Sequence, residues 1–259
     1  MERVAYMYDS SKCMGCRGCQ SICKEWNDQK TDPTTFTGVY TNPPSLNPDT
    51  RMIIKFYDTF TPDPNFNFLK YQCFHCGDPA CVKACPSGAL FQAENGIVAF
   101  DVDKCIACGY CHSACPFGIP QIGKVINKCD MCYSRVMEGS ESDKTSTPAC
   151  VKSCPAGALT FGKRNDLVEQ GKKKVEVLKN KGYTEANLYG ENILGGLGVL
   201  AILKYSPEKY GLPKEPVVPT DIGLWKGILH PLGLVMLGGA AGFVVLHRAL
   251  NLGKKGGDQ

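Results

Sequence analysis

Sixteen cysteines in a chain of 259 residues constrain this fold more than any other feature of the sequence. They fall into four groups of four, and none is left over. The groups are Cys13, Cys16, Cys19 and Cys23; Cys73, Cys76, Cys81 and Cys85; Cys105, Cys108, Cys111 and Cys115; and Cys129, Cys132, Cys150 and Cys154. Because a chain of this length can build a hydrophobic core without disulfides, this many cysteines indicate a bound metal cofactor.

The first and third groups have the spacing C-x2-C-x2-C-x3-C, which is that of bacterial ferredoxins. In such a run, three cysteines bind one cubane iron–sulfur cluster and the fourth binds a neighbouring cluster. The other two groups lengthen one gap but keep the terminal C-x3-C, and three of the four groups end in Cys-Pro, as a ferredoxin run does. The sequence therefore predicts four 4Fe–4S clusters, with the sixteen cysteines as the iron ligands.

The same rule predicts which cysteines share a cluster. A predicted hairpin over residues 86–104 alone separates the second group from the third, so these form an inner pair, and the first and fourth groups form an outer pair. The predicted sets are set A, Cys13, Cys16, Cys19 and Cys154; set B, Cys129, Cys132, Cys150 and Cys23; set C, Cys105, Cys108, Cys111 and Cys85; and set D, Cys73, Cys76, Cys81 and Cys115.

Two other uses of cysteine fit the spacing less well. Structural zinc uses paired C-x2-C knuckles, which leave the third close cysteine of a group and the Cys-Pro endings unexplained. Disulfides are disfavoured because cysteines packed this densely meet the geometry of disulfide bonds poorly. A zinc-binding interaction module stays open as a non-redox alternative, and elemental analysis would distinguish it.

Lys12, Lys104 and Lys128 each come directly before the first cysteine of a group. One interpretation is a positive charge close to an anionic cluster, which would raise the reduction potential of that cluster. The other is an ordinary solvated loop lysine.

Patterns between the cysteine groups predict an α+β fold of tandem bacterial-ferredoxin-like repeats. Residues 3–8 alternate as a strand, residues 52–57 and 68–72 form a strand pair, and Asn95-Gly96 turns a hairpin. A weaker hairpin is predicted over residues 119–127.

A longer helix is predicted after the last cysteine group. Asn165 is its expected N-cap and the helix runs to about Lys181. Its apolar face consists of Leu167, Val168, Gly171, Val175 and Leu178. Residues 193–203 are apolar but broken by glycine and too short to cross a bilayer, so a buried strand or loop is expected there.

The C-terminal region predicts one membrane span. Residues 227–246 carry no formal charge and, as a helix, would extend about 30 Å, the thickness of the bilayer hydrocarbon. Pro231 and five glycines weaken the prediction of a membrane-spanning helix, so an apolar helix that docks against protein is the alternative.

The predicted domains are a four-cluster domain over 1–164 (inner pair 73–118, outer pair 13–23 and 129–154), a helix and cover segment over 165–205, a Pro-rich linker over 206–221, a transmembrane helix over 222–250 and a polar tail over 251–259.

Composition and motifs exclude several functions. Lys and Arg exceed Asp and Glu by only 29 to 25, and the excess is spread along the chain, so no nucleic-acid partner is expected. No cofactor-phosphate loop, nucleophile–base pair or paired carboxylates form a recognisable motif, so no catalytic site is expected in this chain. Residues 1–11 do not have the pattern of a signal peptide.

The chain resembles the iron–sulfur (beta) subunit of membrane-bound respiratory formate dehydrogenases, within the molybdopterin oxidoreductase complex family. The resemblance covers most of its length. It is carried by residues 13–28 (CMGCRGCQSICKEWND), 38–43 (GVYTNP), the four cysteine groups in order, 210–213 (YGLP) and 224–227 (LWKG).

The resemblance implies a heterotrimer in which this chain transfers electrons. Its partners would be a catalytic subunit with molybdenum or tungsten on a molybdopterin cofactor, and a membrane cytochrome b subunit that reduces quinone. It also implies that the cluster domain lies on the periplasmic (outer) face of the lipid bilayer, anchored by the C-terminal helix. The alternative is the equivalent iron–sulfur subunit of a membrane-bound nickel–iron hydrogenase.

Overall fold

The computed structural model describes residues 2–35, 38–57, 67–139, 146–219 and 230–252. The chain divides into two compact units, Met1–Val218 and Pro219–Gln259. The first unit is a mixed α/β structure that contains all sixteen cysteines, and the second contains one described helix.

The first unit is built from short elements between and after the cysteine groups. Its strands are β1 (Val4–Asp9), β2 (Met52–Tyr57), β3 (Asn67–Gln72), β4 (Leu90–Gln92), β5 (Val98–Phe100), β6 (Gln121–Ile122), β7 (Ile126–Asn127), β8 (Leu159–Lys163), β9 (Asn187–Tyr189) and β10 (Val199–Leu203). Its helices are α1 (Gly18–Trp26), α2 (Ala80–Ala84), α3 (Tyr110–Ala114), α4 (Tyr133–Glu138), α5 (Ala149–Lys152) and α6 (Arg164–Asn180).

A four-stranded sheet in the order β8-β1-β10-β9 joins the two ends of this unit. Strand β1 pairs antiparallel with β8 and parallel with β10. Because successive side chains of a strand point to opposite faces, Ala5 and Met7 pack towards α6, while Tyr6 and Tyr8 pack in the core that contains the cysteines. All five residues of β10 are buried, as expected for a strand covered on both faces.

The predicted hairpins are confirmed. Strands β2 and β3, β4 and β5, and β6 and β7 each form a two-stranded antiparallel sheet. Gly96 has a φ of +86°, which provides the left-handed turn between β4 and β5.

Helix α6 confirms the predicted helix but not its cap. The helix begins at Arg164, and its N-cap residue, Lys163, makes no side-chain capping hydrogen bond. The N–H of Arg164 instead donates to the carbonyl oxygen of Arg3 (2.9 Å), the residue directly before β1. This bond satisfies the first N–H group of the helix, and Asn165 is not its cap. The predicted apolar face is buried at Leu167, Gly171, Val175 and Leu178.

Part of the segment predicted as a linker packs against the core. Tyr210 and Leu212 are buried, and the Tyr57 hydroxyl donates to the carbonyl oxygen of Tyr210 (2.7 Å). The Tyr189 hydroxyl donates to the carbonyl oxygen of Pro213 (2.7 Å). This proline-rich segment can pack against the core because tyrosine hydroxyls donate hydrogen bonds to its backbone carbonyl groups.

The second unit contains helix α7 (His230–Leu252). Several of its described apolar side chains are exposed, among them Leu232, Val235 and Phe243. The span predicted over 222–250 includes residues 222–229, which lie outside the described residues. Within the described part of the chain, no helix combines the length and the apolar character needed to cross a membrane.

The loop between β9 and β10, residues 190–198, packs directly against the second cysteine group. The N–H of Gly198 donates to the carbonyl oxygen of His75 (2.8 Å). On its other side the loop is held by Arg3 and Arg164, whose guanidinium groups donate to its carbonyl oxygens. The loop therefore fixes the backbone around this cysteine group.

Gly77→Ala should destabilise this contact, because the added Cβ would overlap the carbonyl oxygen of Gly195 and both sides of the contact are backbone. We expect a loss of about 1–3 kcal/mol in stability, as for other overpacked sites. The measurement is the thermal denaturation of the cofactor-loaded protein, followed by its visible absorbance. Gly162→Ala is the control, because its Cβ would meet no atom within 4 Å; equal melting temperatures for both variants would contradict the prediction.

Candidate functional site

The cysteine loops share one backbone feature. In every group, the residue directly before the second cysteine has a positive φ, and these residues are Gly15 (+67°), His75 (+49°), Ala107 (+53°) and Met131 (+56°). The left-handed conformation is uncommon for residues other than glycine, so three of the four loops adopt it despite their side chains. It curls each loop, so that the N–H of Met131, for example, approaches the sulfur of Cys129 (3.4 Å).

Three of the predicted sets line shared cavities. The cysteines of set A line a cavity of about 370 Å³, those of set B one of about 360 Å³, and those of set C one of about 300 Å³. In set D, burial raises the pKa of Cys76 and the thiols of Cys73, Cys115 and Cys81 raise it further, so these four side chains are neighbours. The structure thus brings together the cysteines that the ferredoxin rule groups, and their ligation of clusters stays a prediction.

The described residues of the sets are not arranged as single-metal sites. Among the described residues, no three or more His, Cys, Asp or Glu side chains are close enough to share a single ion. The cavities of sets A, B and C are instead open spaces between cysteines, and part of each volume is open to solvent.

Two short helices link the sets within each pair. Helix α1 carries both Cys19 of set A and Cys23 of set B, one helical turn or about 6 Å apart along the axis. Helix α5 packs against α1 and carries Cys150 of set B, with Cys154 of set A following it. The inner pair repeats this arrangement, because α2 packs against α3, and each carries one cysteine and is followed by a cysteine of the other set.

Burial controls the protonation of the thiols. It raises the pKa of several cysteines, and neighbouring thiols add to the effect in each case. The pKa rises to about 12 for Cys19, Cys23 and Cys81, and to about 11 for Cys111 and Cys132. At neutral pH these thiols keep their protons unless a bound metal supplies positive charge, because thiolate is the form that binds metal.

The chemistry of the sites fits 4Fe–4S clusters. Each set offers four sulfur donors, which is the donor type that iron–sulfur clusters use. His75, between Cys73 and Cys76, is fully buried, and its Nδ1 accepts a hydrogen bond from the N–H of Val98 (3.1 Å). Its Nε2 has no partner among the described residues, and an anionic cluster would accept a hydrogen bond from it.

Comparisons with known proteins agree with this chemistry. Two protein families described as "4Fe-4S dicluster domain" match the chain, one at residues 12–90 and the other at residues 64–164. The two ranges together include all sixteen cysteines. The nitrate-inducible formate dehydrogenase iron–sulfur subunit of Escherichia coli K12 is 42% identical over 95% of this chain and 83% of its own length. The formate dehydrogenase iron–sulfur subunit of Haemophilus influenzae is 41% identical over 94% of this chain and 79% of its own length.

The chain belongs to the family of formate dehydrogenase iron–sulfur subunits. The hydrogenase-2 operon protein HybA of Escherichia coli O157:H7 is a more distant relative, 31% identical over 95% of this chain and 84% of its own length. Residues 218–248 match a further family, described as "Formate dehydrogenase N, transmembrane". Two 4Fe–4S dicluster domains establish the type of cofactor for this family member, and sixteen cysteines suffice for four clusters.

The three lysines that precede cysteine groups differ in their surroundings. Lys12 is exposed, and Lys104 is exposed and paired with Asp101 (3.0 Å), so both are solvated loop lysines. Lys128 is buried and donates to the carbonyl oxygens of Val98 (2.5 Å) and Cys129 (2.9 Å), and its charge offsets part of the rise that burial causes in the pKa of Cys81. Of these three lysines, Lys128 alone therefore places a buried charge next to the cysteine sets.

Sequence reasoning missed Lys70 and His75. Lys70 is in β3 and is buried beside two cysteine sets, although the sequence marks it only as a charged residue within a predicted strand. The burial of His75 was not predicted, because a position inside a cysteine loop gives no sign of burial in the sequence.

Proposed function

We propose that this chain relays electrons from the catalytic subunit of a formate dehydrogenase, through four 4Fe–4S clusters, to a membrane cytochrome b and quinone. The observation that supports the proposal most directly is the arrangement of sixteen cysteines in linked pairs of sets within one unit of this family member. The clusters would supply one-electron chemistry. The chain itself would bind them, shield them from water and fix the spacing within each pair.

We propose one cluster for each of sets A to D. The crossed arrangement is supported by the short helices, because a cysteine of one set and a cysteine of its partner set lie on the same helix or directly after it. The helices would therefore hold the two clusters of a pair close together. The raised pKa values of the buried thiols suit binding in which iron displaces the thiol protons.

The proposed partners follow from the family. They are a catalytic subunit with molybdenum or tungsten on a molybdopterin cofactor, a membrane cytochrome b subunit and the lipid bilayer. We propose that the C-terminal region anchors the chain as a single membrane helix, supported by the match over residues 218–248 and by the exposed apolar side chains of α7. The resemblance supports the periplasmic face for the cluster unit.

The first test concerns the clusters and their ligands. The purified chain should contain about sixteen iron and sixteen inorganic sulfide, because each cubane has about four of each. Cys115→Ser should change the EPR signal of the cluster bound by Cys73, Cys76 and Cys81. The matched variant Cys85→Ser should change the signal of the Cys105 cluster.

Two results would contradict these assignments. Stoichiometric zinc with little sulfide would favour the zinc-binding module. A change confined to the Cys105 cluster in Cys115→Ser would refute the crossed ligation and leave the electron-transfer function standing.

The second test concerns the electron donor. Formate added to the purified complex should bleach the visible absorbance of the clusters, because the catalytic subunit would pass electrons to this chain. Hydrogen gas, tested on the same preparation, is expected to have no effect. Bleaching by hydrogen and not by formate would establish the hydrogenase alternative. Hydrogen is the relevant comparison because the chain is also similar to the hydrogenase-2 operon protein.

The third test concerns the membrane. A chain ending before Asp221 should be released from salt-washed membranes that lack the cytochrome, and it should keep its clusters because all sixteen cysteines precede this point. Retention of the truncated chain would argue against an anchor. Protease added to intact spheroplasts should digest the cluster unit of the full-length chain, whereas protection would place that unit on the other face.

A further inference from the structure

Lys70 is a buried charge that the proposed relay does not by itself explain. It lies in the middle of β3 with 2% of its surface exposed. Its ammonium donates to the Tyr6 hydroxyl (2.9 Å) and to Oε1 of Gln72 (2.7 Å), and both of these residues are buried. The Gln72 amide also donates to the Tyr6 hydroxyl. These neutral partners fix the position of the ammonium without compensating its charge.

A buried ammonium needs a counter-charge. In the parts of the chain that the structure describes, no Asp or Glu forms an ion pair with Lys70. Removing a charge from water without a compensating anion is strongly unfavourable, and such a lysine would ordinarily be neutral or exposed. The anion must therefore come from what the neighbouring cavities bind.

Lys70 lines two of those cavities. It belongs to the wall of the set A cavity and to the wall of the set B cavity, and it is the one described residue that the two walls share. It therefore lies between the proposed outer clusters. A 4Fe–4S cluster with four thiolate ligands is an anion, so each cavity would hold the charge that Lys70 lacks.

We propose that Lys70 is a shared counter-charge that raises the reduction potentials of both outer clusters. The inference rests on the proposed assignment of one cluster to each set. Reduction adds an electron to a cluster, and a fixed cation in a water-poor site stabilises the more negative state. Because a single charge faces both cavities, it shifts both potentials in the same direction and adds little to the difference between them.

The test is a redox titration of the intact, cluster-loaded complex followed by EPR, with Lys70→Met compared with the unmodified protein. The outer-cluster signals are assigned beforehand, with Cys154→Ser for the set A cluster and Cys23→Ser for the set B cluster. In Lys70→Met, the equilibrium constant for reducing each outer cluster should fall by about tenfold or more, which is a shift of about 59 mV per tenfold for a one-electron couple. The two inner clusters should keep their potentials.

Three further variants make the result specific. Lys70→Gln removes the charge but keeps a polar side chain, and should reproduce the shift if Lys70→Met does not assemble. Lys70→Arg keeps the charge and should leave the potentials close to those of the unmodified protein. Lys204→Met is the matched control, because Lys204 is a buried lysine (8% exposed) that lines none of the three cavities.

Unchanged outer potentials in an assembled neutral variant would overturn the proposal while leaving the proposed function intact. Equal shifts in all four clusters, or a similar shift in Lys204→Met, would also overturn it, because the effect would not be local to Lys70. A failure of the proposed function looks different, since the unmodified complex would then lack four clusters or would not be reduced by formate.

Discussion

Burial of cysteine sulfur is the constraint on which the rest of this structure depends. Many of the thiols lie in the protein core, where burial raises the pKa of several of them, Cys19 and Cys23 included, yet metal binding requires thiolates. Bound iron would resolve the conflict by supplying positive charge at each set. Folding and cofactor binding would then be coupled, because the same side chains form the core and would hold the clusters.

The rest of the first unit closes around these sites. Strand β1 presents Tyr6 and Tyr8 to the cysteine-containing core and Ala5 and Met7 to α6, so one short strand connects two cores. Strand β10 adds to the same sheet, and the loop before it covers the second cysteine group. The segment that follows the last cysteine group is therefore structurally part of the unit that would hold the clusters.

The local elements could be predicted because their signals are local. The β4–β5 and β6–β7 hairpins each have their strands and turn within a few residues, and the apolar face of α6 repeats over several turns. The short helices α2, α3 and α5 have four or five residues, too few for a periodic pattern, and none has a capping side chain. The left-handed residues His75, Ala107 and Met131 were also missed, because the surrounding loop imposes this conformation and the residue type does not favour it.

The sequence by itself determined the four cysteine groups and predicted the membership of each set, because cluster ligation depends on short spacings and on one rule for the fourth cysteine. Only the tertiary structure decided what surrounds the sets. It placed Lys70 between two of them and buried Lys128 while leaving Lys12 and Lys104 in solvent. The physical reason is that the environment of a charged side chain depends on strands and loops from distant parts of the chain, and no local pattern encodes which of them will meet.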